Sequence, residues 1–321
     1  MLISVICPCY NEEKYIKHIL DFFLSAKPDD KELLMVDGMS TDRTREIIEN
    51  YCVLHYNIRL IDNPNKYVSF ALNSAIKQAR GEYIARVDAH TEYPSNYFEK
   101  CYELIQSTHA DNVGGYIHSK GKTDIGKAIA TAMSTKFGVG NTEFRTEAVD
   151  AYVQTVPFGF WHKSAFEKFG YFDIEMMRNQ DDEFNYRTNK LGGKIYQSSQ
   201  IQSSYYVRDS YKAMAKQYYQ YGVYKPLVFK KLNNSGMRLR HVIPGLFALY
   251  MISIPFAFLF GILFALIWIA PFVLYMLLNI YFSFTQQSSF TVKLLTIPAY
   301  ILLHISYGLG MLVGLWKWRN R

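Results

Sequence analysis

From Pro244 to Phe284 the chain runs for 41 residues without a charged side chain. At about 1.5 Å of rise per residue a single helix of that length would measure about 60 Å. That is twice the roughly 30 Å of a bilayer's hydrocarbon core. The run therefore predicts two spans joined by a tight turn near Trp268–Pro271. A third apolar run, Leu294–Trp316, ends in Lys317-Trp318-Arg319-Asn320-Arg321. The expected organisation is a globular domain at 1–206, a basic amphipathic interfacial segment at 207–241 and a transmembrane region at 242–321 with two to three spans. Lys230, Lys231, Arg238 and Arg240 place the start of the first span inside. Three full crossings would then leave the basic C-terminus outside, against the same charge rule. Either one run does not cross fully or the rule is broken here.

Charge is distributed unevenly. Residues 1–206 carry 23 Lys and Arg against 27 Asp and Glu, 207–241 carry eight basic residues and one acid, Asp209, and 242–321 carry four basic residues and none that is acidic. The net charge of +7 thus belongs to the apolar end of the chain, which points to anionic lipid headgroups. No nucleic-acid partner is expected, because the basic residues are not spread over the folded domain. The segment Val207–Lys231, with Tyr211, Tyr218, Tyr219, Tyr221 and Tyr224, suits a membrane interface. Cys7, Cys9, Cys52 and Cys101 form no metal-binding pattern and read as buried free thiols of a reducing compartment. The N-terminus opens directly on a strand, so no signal peptide is expected.

The first 90 residues alternate between strand and helix signals. Leu2–Cys7, Glu32–Asp37, Ile58–Ile61 and Glu82–Val87 have strand composition, and helical patterns follow from about Glu12, Thr41 and Tyr67. Such alternation implies a parallel sheet. Ligands of such sheets bind beyond the carboxyl ends of the strands. Polar clusters at Tyr10–Glu12, Asp37–Asp42 and Asp88–His90 follow three of those ends and should converge on one edge. No glycine-rich dinucleotide fingerprint and no Walker-type loop follows any strand, so those binding modes are not supported. Further along, Asn112–Ile117 and Val156–Trp161 read as strands and Ile125–Met133 as a helix. Phe137-Gly138-Val139-Gly140-Asn141 reads as a glycine-spaced mobile loop, Asp181–Arg187 as the start of a helix and Lys194–Tyr196 as a last strand.

Asp88 and His90 lie two apart in an extended stretch, so their side chains point the same way. A carboxylate and an imidazole at a strand exit can hold a divalent metal; alone, Asp-x-His can equally be a turn cap with a local hydrogen bond. Four ordered motifs decide the reading. They are Pro8-Cys9-Tyr10-Asn11-Glu12-Glu13, Val36-Asp37-Gly38-Met39-Ser40-Thr41-Asp42, Ala79-Arg80-Gly81-Glu82-Tyr83-Ile84, and Gln180-Asp181-Asp182-Glu183-Phe184 with Arg187. Over residues 2 to about 200 the sequence resembles the family 2 glycosyltransferases. Within them it is most similar to membrane-anchored, succinoglycan-type exopolysaccharide glucosyltransferases, through Arg86–His90, Phe137–Gly140, Arg178–Glu183 and His304–Gly310.

The resemblance implies the GT-A fold, an α/β, Rossmann-like and mostly parallel sheet with helices on both faces. It also implies a function: inverting, metal-dependent transfer of a sugar from a nucleotide-sugar donor, UDP-linked, to a lipid-linked saccharide. Pro8, Tyr10 and Glu12 match the family's nucleotide-binding turn, Asp37 its uracil contact and Asp88 its diphosphate–metal residue. Where many members have Asp, this sequence has His90, a softer and neutral ligand, which favours Mn²⁺ over Mg²⁺. His90 binds the metal, a phosphate oxygen or a water. Asp181 matches the catalytic base, with Asp182 as the alternative. Gly159, Asp182 and Gln217 are further candidates on the acceptor side. Gln217–Tyr221 occupies the place of the Gln-x-x-Arg-Trp motif of processive synthases but lacks its Arg and Trp, which argues for one sugar per acceptor. His304, polar within the last span, faces protein or the interface.

The implied partners are a polyprenyl-linked saccharide, membrane lipids and other polysaccharide-assembly proteins. The implied location is a multi-pass anchor in the cell membrane with the catalytic domain on the cytoplasmic side. Two competing readings stay open at this point. One is a polyprenyl-phosphate sugar synthase using a bare lipid phosphate. The other is a non-catalytic membrane scaffold.

Overall fold

A computed structural model describes residues 2–320 of the 321-residue chain. The chain divides into two compact units. One runs to His118 and resumes over Glu147–Tyr205; the other is made of Ser119–Thr146 and the chain from Tyr206 onward.

The first unit opens with β1 (Ile3–Cys9), α1 (Ile16–Ser25), β2 (Lys31–Asp37), α2 (Thr44–Leu54), β3 (Ile58–Asp62), α3 (Val68–Gln78) and β4 (Tyr83–Arg86). β5 (Thr91–Glu92), α4 (Tyr97–Thr108) and β6 (Asn112–Lys120) follow. The sheet order is β3-β2-β1-β4, continuing through three later strands to β5. The first four strands pair parallel, and both faces of β1 and β2 are buried. That is the pattern of a sheet covered on both sides by crossover helices. The remaining strands join antiparallel, so the parallel character belongs to the N-terminal half and the sheet as a whole is mixed.

The second unit contributes α5 (Asp124–Met133), α6 (Lys136–Val139) and α7 (Glu143–Thr146). The chain then returns to the sheet with β7 (Ala151–Tyr152), β8 (Phe160–His162), α8 (Ala165–Phe169), α9 (Gln180–Lys190) and β9 (Ile195–Tyr206). β8 lies between β4 and β6, and β9 between β6 and β5, with β7 also on β9. One sheet face buries Ile6, Leu34, Val36 and Ile84 against Leu72 and Ile76 of α3, Phe166 and Phe169 of α8, and Phe184 of α9. A side chain such as Phe184, 1% exposed, contributes about 3–5 kcal/mol against truncation to Ala. The same cluster fixes the direction in which α9 starts.

The second unit continues with α10 (Tyr211–Lys231), α11 (Leu239–Ala257), α12 (Ile262–Phe284) and α13 (Phe290–Lys317). Three helices, Leu239–Phe260, Ile262–Phe284 and Phe290–Lys317, are long and apolar enough to cross a membrane. The break between the first two falls at Gly261, whose φ of +98° suits a residue without a Cβ. It does not fall at Trp268–Pro271: Pro271 is absorbed inside α12. Neighbouring helices re-satisfy the backbone groups that an intramembrane proline frees. Trp268 and Phe272, on either side of it, are tied to α11, with Tyr250 Oη donating to Trp268 O (2.8 Å) and accepting from Phe272 N (3.1 Å). The candidate interfacial segment is largely α10, which lies along α13. Gly310 of α13 sits so close to α10 that a Cβ would come within 2.1 Å of Tyr219 O.

The stretch Phe137–Asn141, expected to be a mobile loop, is built differently. Phe137 and Gly138 lie in α6, and the Phe137 ring stacks on Phe282 (4.8 Å) and meets Tyr300 edge-on (4.9 Å). His304 explains the docking. Its Nε2 lies 3.0 Å from Phe137 O and 3.2 Å from Gly138 O, and its Nδ1 lies 2.9 Å from Tyr275 Oη. The imidazole therefore donates to the carbonyls and accepts from the phenol. His304 faces protein, and it ties α6 to α12 and α13.

Candidate active site

The parallel half of the sheet places the motifs. From β1 the chain moves outward through β2 and β3, then returns to the other side of β1 as β4. The β1/β4 boundary is therefore a topological switch point, where open sheets form a ligand crevice at their carboxyl ends. β1–β4 pairing ends at Ile6↔Arg86, while β1–β2 pairing continues to Cys9↔Asp37. Pro8, which has no N–H to give, lies beyond the β4 ladder and opposite Val36.

The loops after β1 and β2 are stitched to each other. Asn11, at a φ of +54°, donates its N–H to Ser40 Oγ (2.9 Å) and accepts from Thr41 N at its side-chain oxygen (2.8 Å). Glu12 N donates to Thr44 Oγ1 (2.7 Å), and Arg43 N donates to Glu13 Oε2 (3.0 Å). Asp37 is fully buried. Its carboxylate accepts from Ser40 N (3.2 and 3.1 Å) and Ser40 Oγ (2.5 Å), with Arg45 Nη1 3.6 Å away. Gly38 leaves room for Tyr10: a Cβ there would lie 3.3 Å from Tyr10 Cβ and Cδ2. Tyr10 is exposed, with Lys66 Nζ 5.8 Å from its ring centre. An exposed ring beside a cation at a crevice can take a planar base on its face.

β4 ends at Arg86, and Asp88–Thr91 close a turn in which Thr91 N donates to Asp88 O (3.2 Å). The extended stretch expected over Asp88–His90 is therefore not formed, and the turn, not a two-residue strand period, sets the placement of these side chains. Arg86 is buried and donates through Nη2 to Asp88 Oδ1 (3.2 Å) and through Nη1 to Asp181 Oδ1. Burial works against the charge of Arg86, but Asp181 and Asp88 outweigh it and hold the guanidinium protonated, its pKa raised. The Asp181 carboxylate is open to solvent on one side (34%) and otherwise enclosed. Burial raises its pKa, Arg86 pulls it back, and Asp88 and Asp182 add to the rise. Glu183 is spoken for. It pairs with Arg187 (Nε–Oε1 2.7 Å), which also donates to the carbonyls of Phe169 and Tyr171. Of the three consecutive acids in the first turn of α9, Asp181 is the one that meets Arg86.

His90 Nδ1 faces Glu12 Oε1 at 3.2 Å, and its ring meets Tyr205 edge-on at 5.3 Å. Among the described residues no group of three or more His, Cys, Asp and Glu side chains is arranged to hold a metal ion. The donors available at this edge are the Asp88 carboxylate and the ring nitrogen of His90 not turned to Glu12. That small set fits a hard divalent cation held by one or two protein ligands with substrate phosphates and water supplying the rest. It does not fit a closed structural metal centre.

Of the other candidates, Gly159 and Asp182 adjoin this site. Gly159, at a φ of +97°, accepts from Arg86 N through its carbonyl (3.0 Å), and a Cβ there would come within 2.2 Å of Trp161. Asp182 is on α9 beside Asp181. Gln217 belongs to the second unit, on α10, where its Nε2 donates to Tyr221 Oη (2.8 Å). Cys7 and Cys9 are buried free thiols whose pKa values burial pushes up, so they stay neutral. The residue that the motifs underweight is Arg86. Its signal was its place at the end of the strand, two residues before Asp88.

Residues 4–173 match the sequence model of glycosyl transferase family 2, more than half the chain, although Asp181 lies beyond the matched segment. The chain is 31% identical over 221 residues to the succinoglycan biosynthesis protein ExoA of Rhizobium meliloti, covering 68% of this chain and 67% of that one. It is 32% identical over 240 residues to a dolichyl N-acetyl-α-D-glucosaminyl phosphate 3-β-D-2,3-diacetamido-2,3-dideoxy-β-D-glucuronosyltransferase of Methanococcus voltae, covering 71% and 74%. Among solved structures, a mannosyltransferase of Pyrobaculum calidifontis in complex with GDP-Man and Mn²⁺ superposes with a TM-score of 0.59 at 16% identity, over 99% of this chain and 88% of that one. At that identity the likeness speaks for the fold, which is GT-A. With these matches and this architecture, the chain belongs to glycosyltransferase family 2 and is a glycosyltransferase.

Proposed function

We propose that the enzyme moves a sugar from a nucleotide-sugar donor, UDP-linked, to a hydroxyl of a lipid-linked saccharide in polysaccharide assembly, with inversion at the anomeric carbon. The reaction takes place at the cytoplasmic face of the membrane in which the enzyme is a multi-pass protein. In this reading residues 1–206 are the catalytic domain, 207–241 lie at the interface and 242–321 anchor the chain. The names of the two relatives, one a polysaccharide biosynthesis protein and one acting on a dolichyl-linked sugar, support the choice of process and acceptor. The single observation that carries the reading is Arg86 held between Asp88 and Asp181. It puts a diphosphate-side acid and a base-side acid within one guanidinium of each other.

Asp181 is the general base. Arg86 takes its Oδ1, which leaves Oδ2 for the acceptor hydroxyl. As the acceptor oxygen bonds to the anomeric carbon, its proton passes to Asp181. The bond from that carbon to the diphosphate breaks on the opposite face, and the nucleoside diphosphate leaves with the electron pair. A carboxylate raised above its ordinary pKa is the better proton acceptor, provided it stays ionised, and Arg86 secures that. Tyr10 and Pro8 receive the base, Asp37 accepts its ring N–H, and Asp88 with His90 would hold a divalent metal, Mn²⁺ in preference to Mg²⁺. The metal supplies charge neutralisation of the leaving diphosphate.

The test is transfer by the purified protein in detergent from a panel of UDP- and GDP-sugars to lipid-linked saccharides, with Mn²⁺ or Mg²⁺. Asp181→Asn should cost about 10²–10⁴ in turnover while UDP binding is kept. Full activity of Asp181→Asn on a bare lipid phosphate would favour a polyprenyl-phosphate sugar synthase, whose acceptor needs no deprotonation. Absence of transfer and of donor hydrolysis with every pair would favour a scaffold.

A further inference from the structure

The second unit contains an open groove of about 760 Å³ lined by Asn141, Met237, Arg238, Leu239, Arg240 and Val242. Its chemistry is divided. Met237, Leu239 and Val242 make it apolar, and two arginines stand at the first turn of a helix that is long and apolar enough to cross a membrane. Both arginines are turned to one carboxylate from α7. Arg238 Nη1 lies 3.2 Å from Glu143 Oε1, and Arg240 Nη1 lies 3.7 Å from Glu143 Oε2. The second distance is too long for a hydrogen bond. Arg240 Nη1 and Glu143 Oε2 are both buried and make none, although the Arg240 side chain is only 11% exposed. One anion is thus stretched between two cations, each addressing a different oxygen, with donor capacity left over.

We propose that this groove binds the diphosphate headgroup of an isoprenoid lipid, with Arg238 and Arg240 each taking one phosphate and Glu143 standing in for the anion when the lipid is absent. Arginine is the side chain suited to forked, charge-assisted contacts with phosphate oxygens. The amide of Asn141 can donate to the same group. Two separated guanidiniums suit two linked phosphates better than one. The hydrocarbon tail has a track to follow: Leu239, Ile243, Leu246 and Leu249 are exposed and recur at helical spacing along α11, leading away from the arginines. A soluble phosphate compound would gain nothing from that stripe or from Met237 and Val242. This site deepens the proposed function and rests on it for the identity of the acceptor: it names the residues that would hold the carrier's diphosphate.

The experiment measures equilibrium binding of geranylgeranyl diphosphate to the full-length protein in phosphatidylcholine nanodiscs, with UDP binding recorded on the same samples. Wild-type protein should bind the probe, and inorganic pyrophosphate and geranylgeraniol should each bind at least about tenfold more weakly. Arg238→Ala with Arg240→Ala should raise the Kd at least about tenfold while leaving UDP binding unchanged, which shows that the catalytic unit is folded. Glu143→Gln removes the competing anion and should tighten binding several-fold, an effect that a merely structural Glu143 would not produce. Wild-type affinity in the double-arginine variant, or looser binding in Glu143→Gln, would overturn the proposal. So would displacement of the probe by an equal amount of phosphatidylglycerol, which would mark a general anionic-lipid patch. The two readings fail separately. Wild-type protein that binds the probe through the arginines but transfers no sugar to any lipid-linked saccharide refutes the proposed acceptor and leaves the site. Protein that transfers sugar while the double variant binds and works normally refutes the site alone.

Discussion

Glu12 and His90 come from motifs 78 residues apart, and Glu12 Oε1 lies 3.2 Å from His90 Nδ1. A carboxylate on one imidazole nitrogen fixes the tautomer and presents the other nitrogen to a ligand, the arrangement that supports metal-binding histidines. If His90 holds the metal, Glu12→Gln should weaken Mn²⁺ binding by about ten- to a hundredfold, read directly by the electron paramagnetic resonance of bound Mn²⁺ in the presence of UDP. His90→Asp should shift the preference toward Mg²⁺. An unchanged metal preference in His90→Asp removes His90 from the ligand set.

The pH profile follows from Arg86 and Asp181. Asp181 sits above the ordinary carboxylate range because burial disfavours its charge, with Arg86 pulling the other way. The base works only when ionised. Activity should therefore fall on the acid side at a pH above the roughly 3.9 of an ordinary Asp. Arg86→Gln removes the group that lowers the pKa, so the acid limb should move to higher pH as well as lower the maximum. A limb that stays in place as kcat falls would mean that Arg86 does not act through Asp181.

Glu183 separates structure from chemistry within one helical turn. It is 3% exposed and holds Arg187, which braces the carbonyls of Phe169 and Tyr171. Glu183→Ala leaves that guanidinium without its partner and should destabilise the protein by about 3 kcal/mol, seen as a lower Tm. Asp181→Asn should change Tm much less while lowering turnover by about 10²–10⁴. Equal effects of the two substitutions on both readouts would contradict this division.

His304 should control the order of α6. His304→Phe leaves the carbonyls of Phe137 and Gly138 without their donor, at about 1–3 kcal/mol for a buried unsatisfied group. Faster amide hydrogen exchange across residues 136–146 is the expected result. Phe137→Ala should reproduce it by removing the ring from its stack on Phe282.

Much of this was legible in the sequence because it is local. The apolar runs of β1, β2 and β4 show in composition, and the uncharged run from Pro244 to Phe284 needs no neighbour to be apolar. The strand period suggested one side for Asp88 and His90, but β4 ends at Arg86 and the chain turns over Asp88–Thr91, a boundary that the apolar run does not mark. The acidic run Asp181-Asp182-Glu183 marks a helix start, but local pattern gives its three carboxylates the same standing. The sheet tells them apart: it brings β4 across to α9, so that Asp181 meets Arg86 across 95 residues of chain while Glu183 turns to Arg187. Phe137 read as part of a loop because Gly138 and Gly140 follow it, and its ring found a tertiary partner that no local window contains. Gly261 overrode the expected turn at Pro271, because a backbone at a φ of +98° admits glycine and a helix within a bundle tolerates proline. Residue type and period settled which chemistry is present. Which groups share a proton, a cation or a carboxylate was decided by strand order and helix docking, since those bring together residues that sequence distance keeps apart.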